Sequence, residues 1–412
     1  MKHKIATMLI AASSALGAAA QTTDNFKYTD EKFADIQMLR YKVEGFDKLT
    51  LKEKTFIYYL QEAALEGRDI LFDQNGRYNL RIRALLEAVY TNYTGKHDDK
   101  FYKALAVYLK RVWFSSGIHH HYGCEKFLPD FTEQELRNAL HKIPADKLPL
   151  NGQSLDAFCN ELFPVIFNPE VMPMRVNQKD GEDLIQTSAC NYYAPGITQA
   201  EAEEFYAQRK PTNDPYPIMM GMNSRLERND YGMLTERVWR VGGMYTAAIE
   251  RIVDNLLKAR AFADTPEQQK VIDLLVETYR TGDLRTFDDY SIHWLKDTKS
   301  MVDFTNYFTE SYGDPLGMKA SWEAIVNFKD IAATERTKKL SENAQWFEDN
   351  SPVAPEFKKE KVKGVSAKVI TAAILGGDLY PSTAIGINLP NSDWVRREFG
   401  SKSVTIGNLT DA

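Results

Sequence analysis

The sequence is poor in cysteine: Cys124, Cys159 and Cys190 are the only three in 412 residues, with no Cys-x-x-Cys among them. That excludes a disulfide framework and a cysteine-clustered metal site; at most one bridge can form, leaving one thiol over. A marked charge excess is also missing, with 51 basic against 57 acidic residues and a formal charge of −6. Binding to nucleic acid needs a clustered basic face, so a nucleic-acid partner is not expected. Beyond the first twenty residues no stretch approaches the ~18 apolar residues of a membrane span. No Gly-x-Gly-x-x-Gly or Walker loop follows a strand, which leaves nucleotide-dependent reductases and ATPases without support. No Gly-x-Ser-x-Gly elbow occurs, so a serine hydrolase lacks its signature. Aromatics are not scarce: at 12% they argue against disorder. The length exceeds what one core usually fills, so more than one folding unit is expected.

What is present begins with an export pattern. Lys2 and Lys4 precede an apolar run from Ile5 to Leu16, and Ala18-Ala19-Ala20 offers a small-residue cleavage site before Gln21. This is a secretory signal rather than an anchor, and the mature protein is expected to be exported, periplasmic or secreted.

The rest reads mostly as helix. Thr50-Leu-Lys-Glu53, Thr132-Glu-Gln-Glu135 and Thr198-Gln-Ala-Glu201 are capping boxes. Apolar residues recur at helical spacing after Thr50, over Leu80–Tyr90 and Phe101–Trp113, and along a long stripe from about Thr235 to Ala261. Thr265-Pro266 opens another helix. Strand-like segments are fewer: Tyr216–Met222, Ala384–Leu389 and Ser403–Ile406. The fold class is therefore α+β, mainly helical, with a minor sheet. Asn350 to Pro355 reads as a linker.

Candidate chemistry is sparse. His119-His120-His121 invites a metal, but three consecutive side chains diverge on a helix and alternate on a strand, so loop histidines are the better reading. Glu310-Ser-Tyr312-Gly-Asp-Pro315 puts an acid and a phenol two residues apart before a turn. In extended backbone both face one cleft; the competing reading is a solvated acid beside a half-buried tyrosine. Ala384-Ile-Gly386-Ile387-Asn388-Leu-Pro-Asn391 starts like a strand, carries a glycine permitting close backbone approach, and flanks a proline with two asparagines. Its plain alternative is an edge strand entering a turn.

These two segments resemble signature segments of the dipeptidyl peptidase III family, zinc exopeptidases that release dipeptides from peptide N-termini. Phe287–Trp294, Val404–Asn408 and, upstream, Tyr122-Gly-Cys-Glu-Lys-Phe127 fit the family in order, so the resemblance spans about Phe56 to Asn408. It implies that Glu310, Asn388 and Asn391 hold the free ammonium of a small peptide. It implies also that Gly386 and Ile387 lend backbone groups to that peptide, and that Tyr122 lines a side-chain subsite. Tyr312 resembles the phenol that stabilises the developing oxyanion and is the one catalytic candidate.

The resemblance implies two lobes. Residues 24–330 and 372–412 would form a lower lobe around a small β-barrel, and 331–371 the start of a helical upper lobe. The family's zinc-binding His-Glu-x-x-x-His occurs nowhere in this sequence. Zinc belongs to the complete family enzyme, and no metal is expected on this chain, which reads as the substrate-binding N-terminal part of a longer peptidase, inactive alone. The alternative is a metal-free periplasmic peptide-binding protein. Neither reading fixes an oligomeric state.

Overall fold

The computed structural model describes residues 26–362, 365–381 and 384–410; the expected export signal, residues 1–20, lies outside them. Two units are distinct. In the first, β1 (Thr29–Phe33) and β2 (Ile36–Leu39) form an antiparallel hairpin. The second begins at Val43 and carries the remaining elements.

The second unit is built around a five-stranded sheet of β5 (Val302–Glu310), β6 (Ser321–Lys329), β7 (Val365–Gly377), β8 (Gly386–Leu389) and β9 (Ser401–Ile406). Its order is β5-β6-β7-β9-β8, antiparallel except for the β7–β9 pair. β5 and β8 are the two edges, so among the described residues the sheet is open rather than closed into a barrel. A separate hairpin pairs β3 (Ser224–Arg228) with β4 (Leu234–Val238). Phe304, Phe308 and Trp322 of the sheet join Phe56 and Leu60 of the Leu51–Glu66 helix, Ile252 and Leu275 in one core. A second core, mostly of helical side chains, gathers Leu85, Leu109, Leu136 and Phe158 with Phe127 and Phe131 from the loops between helices.

Local chemistry explains the helix starts. All three capping boxes form, with the Thr50, Thr132 and Thr198 hydroxyls accepting from the amides of Glu53, Glu135 and Glu201. Thr265 caps the Pro266–Thr281 helix in the same way, with proline in its first turn.

Two expectations fail for identifiable reasons. The stripe from Thr235 is not one helix: Leu234–Val238 is strand β4, and helix starts only at Thr246. Asn229 drives the hairpin, its Oδ1 accepting from the amides of Tyr231 and Met233 (both 3.0 Å), and Gly242-Gly243 then interrupts any helix. Tyr216–Met222 forms no strand, since Pro215 and Pro217 withhold two amide donors. β5 and β6 carry no strand signal in the sequence because both are buried along both faces, which erases the alternation that marks a half-exposed strand. Residues 331–371 open with helices Ile331–Glu342 and Ala344–Asp349 and end within β7, which begins at Val365.

Candidate functional site

Three carboxyl groups meet at one end of the sheet because three neighbouring strands end or begin there. Glu310 closes β5 opposite Ser321, which opens β6. β7 ends at Gly377, and the Asp378 amide then donates to Trp322 O (3.0 Å). Gly377 has φ +61°, and a Cβ there would lie 2.1 Å from Trp322 O, so only glycine lets β7 turn this tightly over β6. The Asp378 carboxylate accepts from the Ser321 hydroxyl, whose oxygen lies 2.8 Å from Tyr192 OH. Glu323, two residues along β6 and opposite Gly377, is buried at 2% exposure. It is hydrogen-bonded to Thr309, while its Oε2 meets no donor among the described residues.

Burial dominates the electrostatics. It lifts the Glu310 carboxyl above the usual range, opposed by a hydrogen bond from Asn391 and reinforced by Asp378. Burial also raises Asp378, against the pull of the Arg175 guanidinium. Glu323 is pushed furthest: burial, then Glu310 and Asp378, drive it well above the carboxylate range. Arg175 lines a small cavity with Asp378 but is already engaged, donating to Asn75 Oδ1 (2.9 Å) and His121 O (3.1 Å).

The edge strand β8 supplies the other groups. Gly386 and Ile387 pair with Thr405 and Val404 of β9, which leaves the outer edge of β8 without a strand neighbour among the described residues. A Cβ on Gly386 would approach Val404 O at 3.2 Å. Asn388 is exposed, its Oδ1 accepting from Ser403 Oγ (3.1 Å). Asn391 reaches β5, with Nδ2 donating to Thr309 O (3.2 Å) and its side chain bonded to Glu310. The segment after Asn391 is anchored by buried Asp288, which accepts from Trp394 Nε1 and Arg285 Nη1 (both 3.3 Å). Burial pushes that carboxyl up to about 6.

Glu310 and Asn391 are thus in contact, and Asn388 sits three residues earlier on the same segment. Tyr312 and Tyr122 present their rings to solvent, at 80% and 82% exposure. The turn behind Tyr312 is rigid. Buried Asp314 accepts from the amides of Leu316, Met318 and Lys319 (3.2, 2.9 and 2.8 Å) and from Tyr193 OH (3.0 Å). The histidine triplet shapes the Tyr122 loop. Buried His119 pairs Nε2 with Met172 O (2.8 Å), and burial pulls it down to about 4. His120 Nδ1 accepts from the amides of Tyr122 and Gly123 (3.2 and 3.0 Å), and His121 packs edge-on against Phe114.

The chain matches the model of peptidase family M49 over residues 189–412. It belongs to that family, the dipeptidyl peptidase III family. Dipeptidyl peptidase 3 of Dictyostelium discoideum is 26% identical over 399 residues, spanning 90% of this chain and 54% of that protein. The human dipeptidyl peptidase 3 is 23% identical, spanning 89% and 53%. In fold, the chain resembles DPP III from Caldithrix abyssi (TM-score 0.63, 19% identity, 89% of this chain and 57% of that one). It likewise resembles the enzyme from Corallococcus sp. strain EGB (TM-score 0.64, 18%, 90% and 56%). The M49 chain therefore spans a little over half the length of these relatives. Glu310, Tyr312, Glu323, Asp378 and Asn391 all fall within the matched region; Tyr122 and Arg175 precede it.

Glu323, Asp378 and Arg175 were not anticipated. Glu323 left a signal, a lone acid in the apolar run Ser321-Trp-Glu-Ala-Ile-Val-Asn-Phe328, whereas Asp378 and Arg175 left none. The family resemblance implies zinc, and the described M49 residues do not fit it. The triplet histidines point to separate partners, and no three His, Cys, Asp or Glu side chains gather as donors among those residues.

Proposed function

We propose that this chain is the substrate-recognition part of an exported M49 exopeptidase, binding small peptides by their free N-terminus. The observation that carries the reading is the contact between Asn391 and Glu310 beside the open edge of β8. A carboxylate and two amide oxygens can satisfy three ammonium donors, and the Asn391 side chain already fixes the carboxylate's orientation. The outer edge of β8 offers backbone groups to an extended peptide, so affinity comes from main-chain pairing and tolerates varied side chains. Register is then counted from the amine, which is what dipeptide release requires. Tyr312 would donate its phenol to the scissile carbonyl oxygen as charge develops there, and exposed Tyr122 would line a side-chain subsite. In the complete enzyme zinc would supply the activated water.

The test is fluorescence anisotropy with a tetrapeptide labelled at its C-terminus and free at its N-terminus. Unlabelled dipeptides with a free amine should displace it, and their N-acetylated forms should not.

A further inference from the structure

Glu323 has no role in the proposed amine site, yet it lies directly behind it. Its carboxyl group is buried, one oxygen is hydrogen-bonded to Thr309, and the other meets no donor among the described residues. The charged groups bearing on it are Glu310 from β5 and Asp378 from the turn after β7, both acidic. Besides Thr309, two neutral polar groups on neighbouring elements are bound elsewhere. Gln74 is bound to Ala320 O and the Trp322 amide (3.0 and 2.8 Å), and Tyr192 OH to Ser321. Arg175 lies beyond Asp378, held by Asn75 and His121. Three carboxyl groups gathered at one end of the sheet with one guanidinium beyond them do not all ionise together.

We propose that Glu323 carries a proton while the site is empty and gives it up to solvent when a peptide's ammonium settles on Glu310. The step balances: the Glu323 O–H bond breaks, its electron pair stays on the carboxylate, and the proton passes to water or buffer as the ammonium's charge arrives. Burial and the two neighbouring acids favour the neutral form in the empty site. This inference rests on the amine-anchor reading, and it makes peptide binding tighten as pH rises.

Titration calorimetry of the full chain with tetraalanine at pH 7, in phosphate and in Tris, reads the proton directly. At that pH the peptide's own amine is already about 85–90% protonated, so its uptake offsets only about a tenth of a proton. The heats should differ by the difference between the two buffers' ionisation enthalpies times about one proton released per peptide. Glu323→Gln should still bind tetraalanine while losing most of that difference, and Asp378→Asn, which removes one neighbouring charge, should release less than wild type. Equal heats in the two buffers, or an unchanged difference in Glu323→Gln, would overturn the proposal. Infrared difference spectra of the peptide-free chain, wild type minus Glu323→Gln, make an independent check. A protonated-carboxyl band at pH 7 is expected, and its absence overturns the proposal whatever the peptide does. N-acetyltetraalanine separates the two readings. If it binds as well as tetraalanine the amine anchor fails, whereas selective binding of the free amine without proton release sinks only the role of Glu323.

Discussion

The side-chain amide of Asn391 donates to the backbone carbonyl of Thr309 at 3.2 Å, so the segment leaving the edge strand β8 is fastened to the end of β5. The two strands stand at opposite edges of the sheet in pairing order. The same side chain bonds Glu310, the next residue. One asparagine therefore sets the distance between the acid and the edge strand.

Asn391→Ala should release both contacts. A hydrogen bond to a charged group contributes about 1.5–3 kcal/mol, so affinity for a free-amine tetrapeptide should fall about 10- to 150-fold. The Glu310 carboxyl should also titrate higher, because the Asn391 bond is what holds it down. Anisotropy across pH 5 to 8 measures both.

Gly377→Ala should destabilise the sheet and displace Asp378. The new Cβ would lie 2.1 Å from the Trp322 carbonyl in a backbone with φ +61°. The left-handed conformation costs about 1–2 kcal/mol for a residue with a Cβ, and relieving the overlap adds to that. Urea unfolding should show a loss above about 2 kcal/mol; an unchanged midpoint would mean that β7 turns differently.

Asp288 gives a pH signature. Burial raises its folded value to about 6, above the unfolded value near 4, so the folded state holds the proton more tightly than the unfolded chain does. Stability from this group is present below about pH 4, is lost as pH rises to about 6, and stays lost above it. Asp288→Asn keeps an acceptor for Trp394 and removes the titration. The variant should gain on wild type by about 2 kcal/mol between pH 4.5 and 7, seen as a widening difference in unfolding midpoints. A constant difference would contradict this.

In a complete enzyme containing this region, Tyr312→Phe keeps the ring and deletes one donor aimed at the developing oxyanion. The loss should appear in kcat, by about 10²–10³-fold, with little change in peptide affinity. A change confined to KM would make the phenol a binding group.

The sequence carried the helix starts and the family segments because these are local. A threonine three residues before a glutamate, or Asn388-Leu-Pro-Asn391, needs no partner to be recognised. The sheet was hidden because β5 and β6 are buried on both faces and lack the period-two pattern. The acidic floor was hidden because Glu310 and Glu323 sit on successive strands and Asp378 lies more than fifty residues further on, and the three meet only through strand register. Arg175 gave no sign because its partners Asn75 and His121 come from distant segments.

In the proposed site Glu310 reads a peptide's free amine. The direct measurement is the affinity of one tetrapeptide, free and N-acetylated, for wild type and for Glu310→Ala. Wild type should prefer the free peptide by about 10- to 150-fold, and Glu310→Ala should bind both forms alike, because acetylation and the substitution delete the same contact. Equal affinity of wild type for the two forms, or an undiminished preference in Glu310→Ala, would contradict the account.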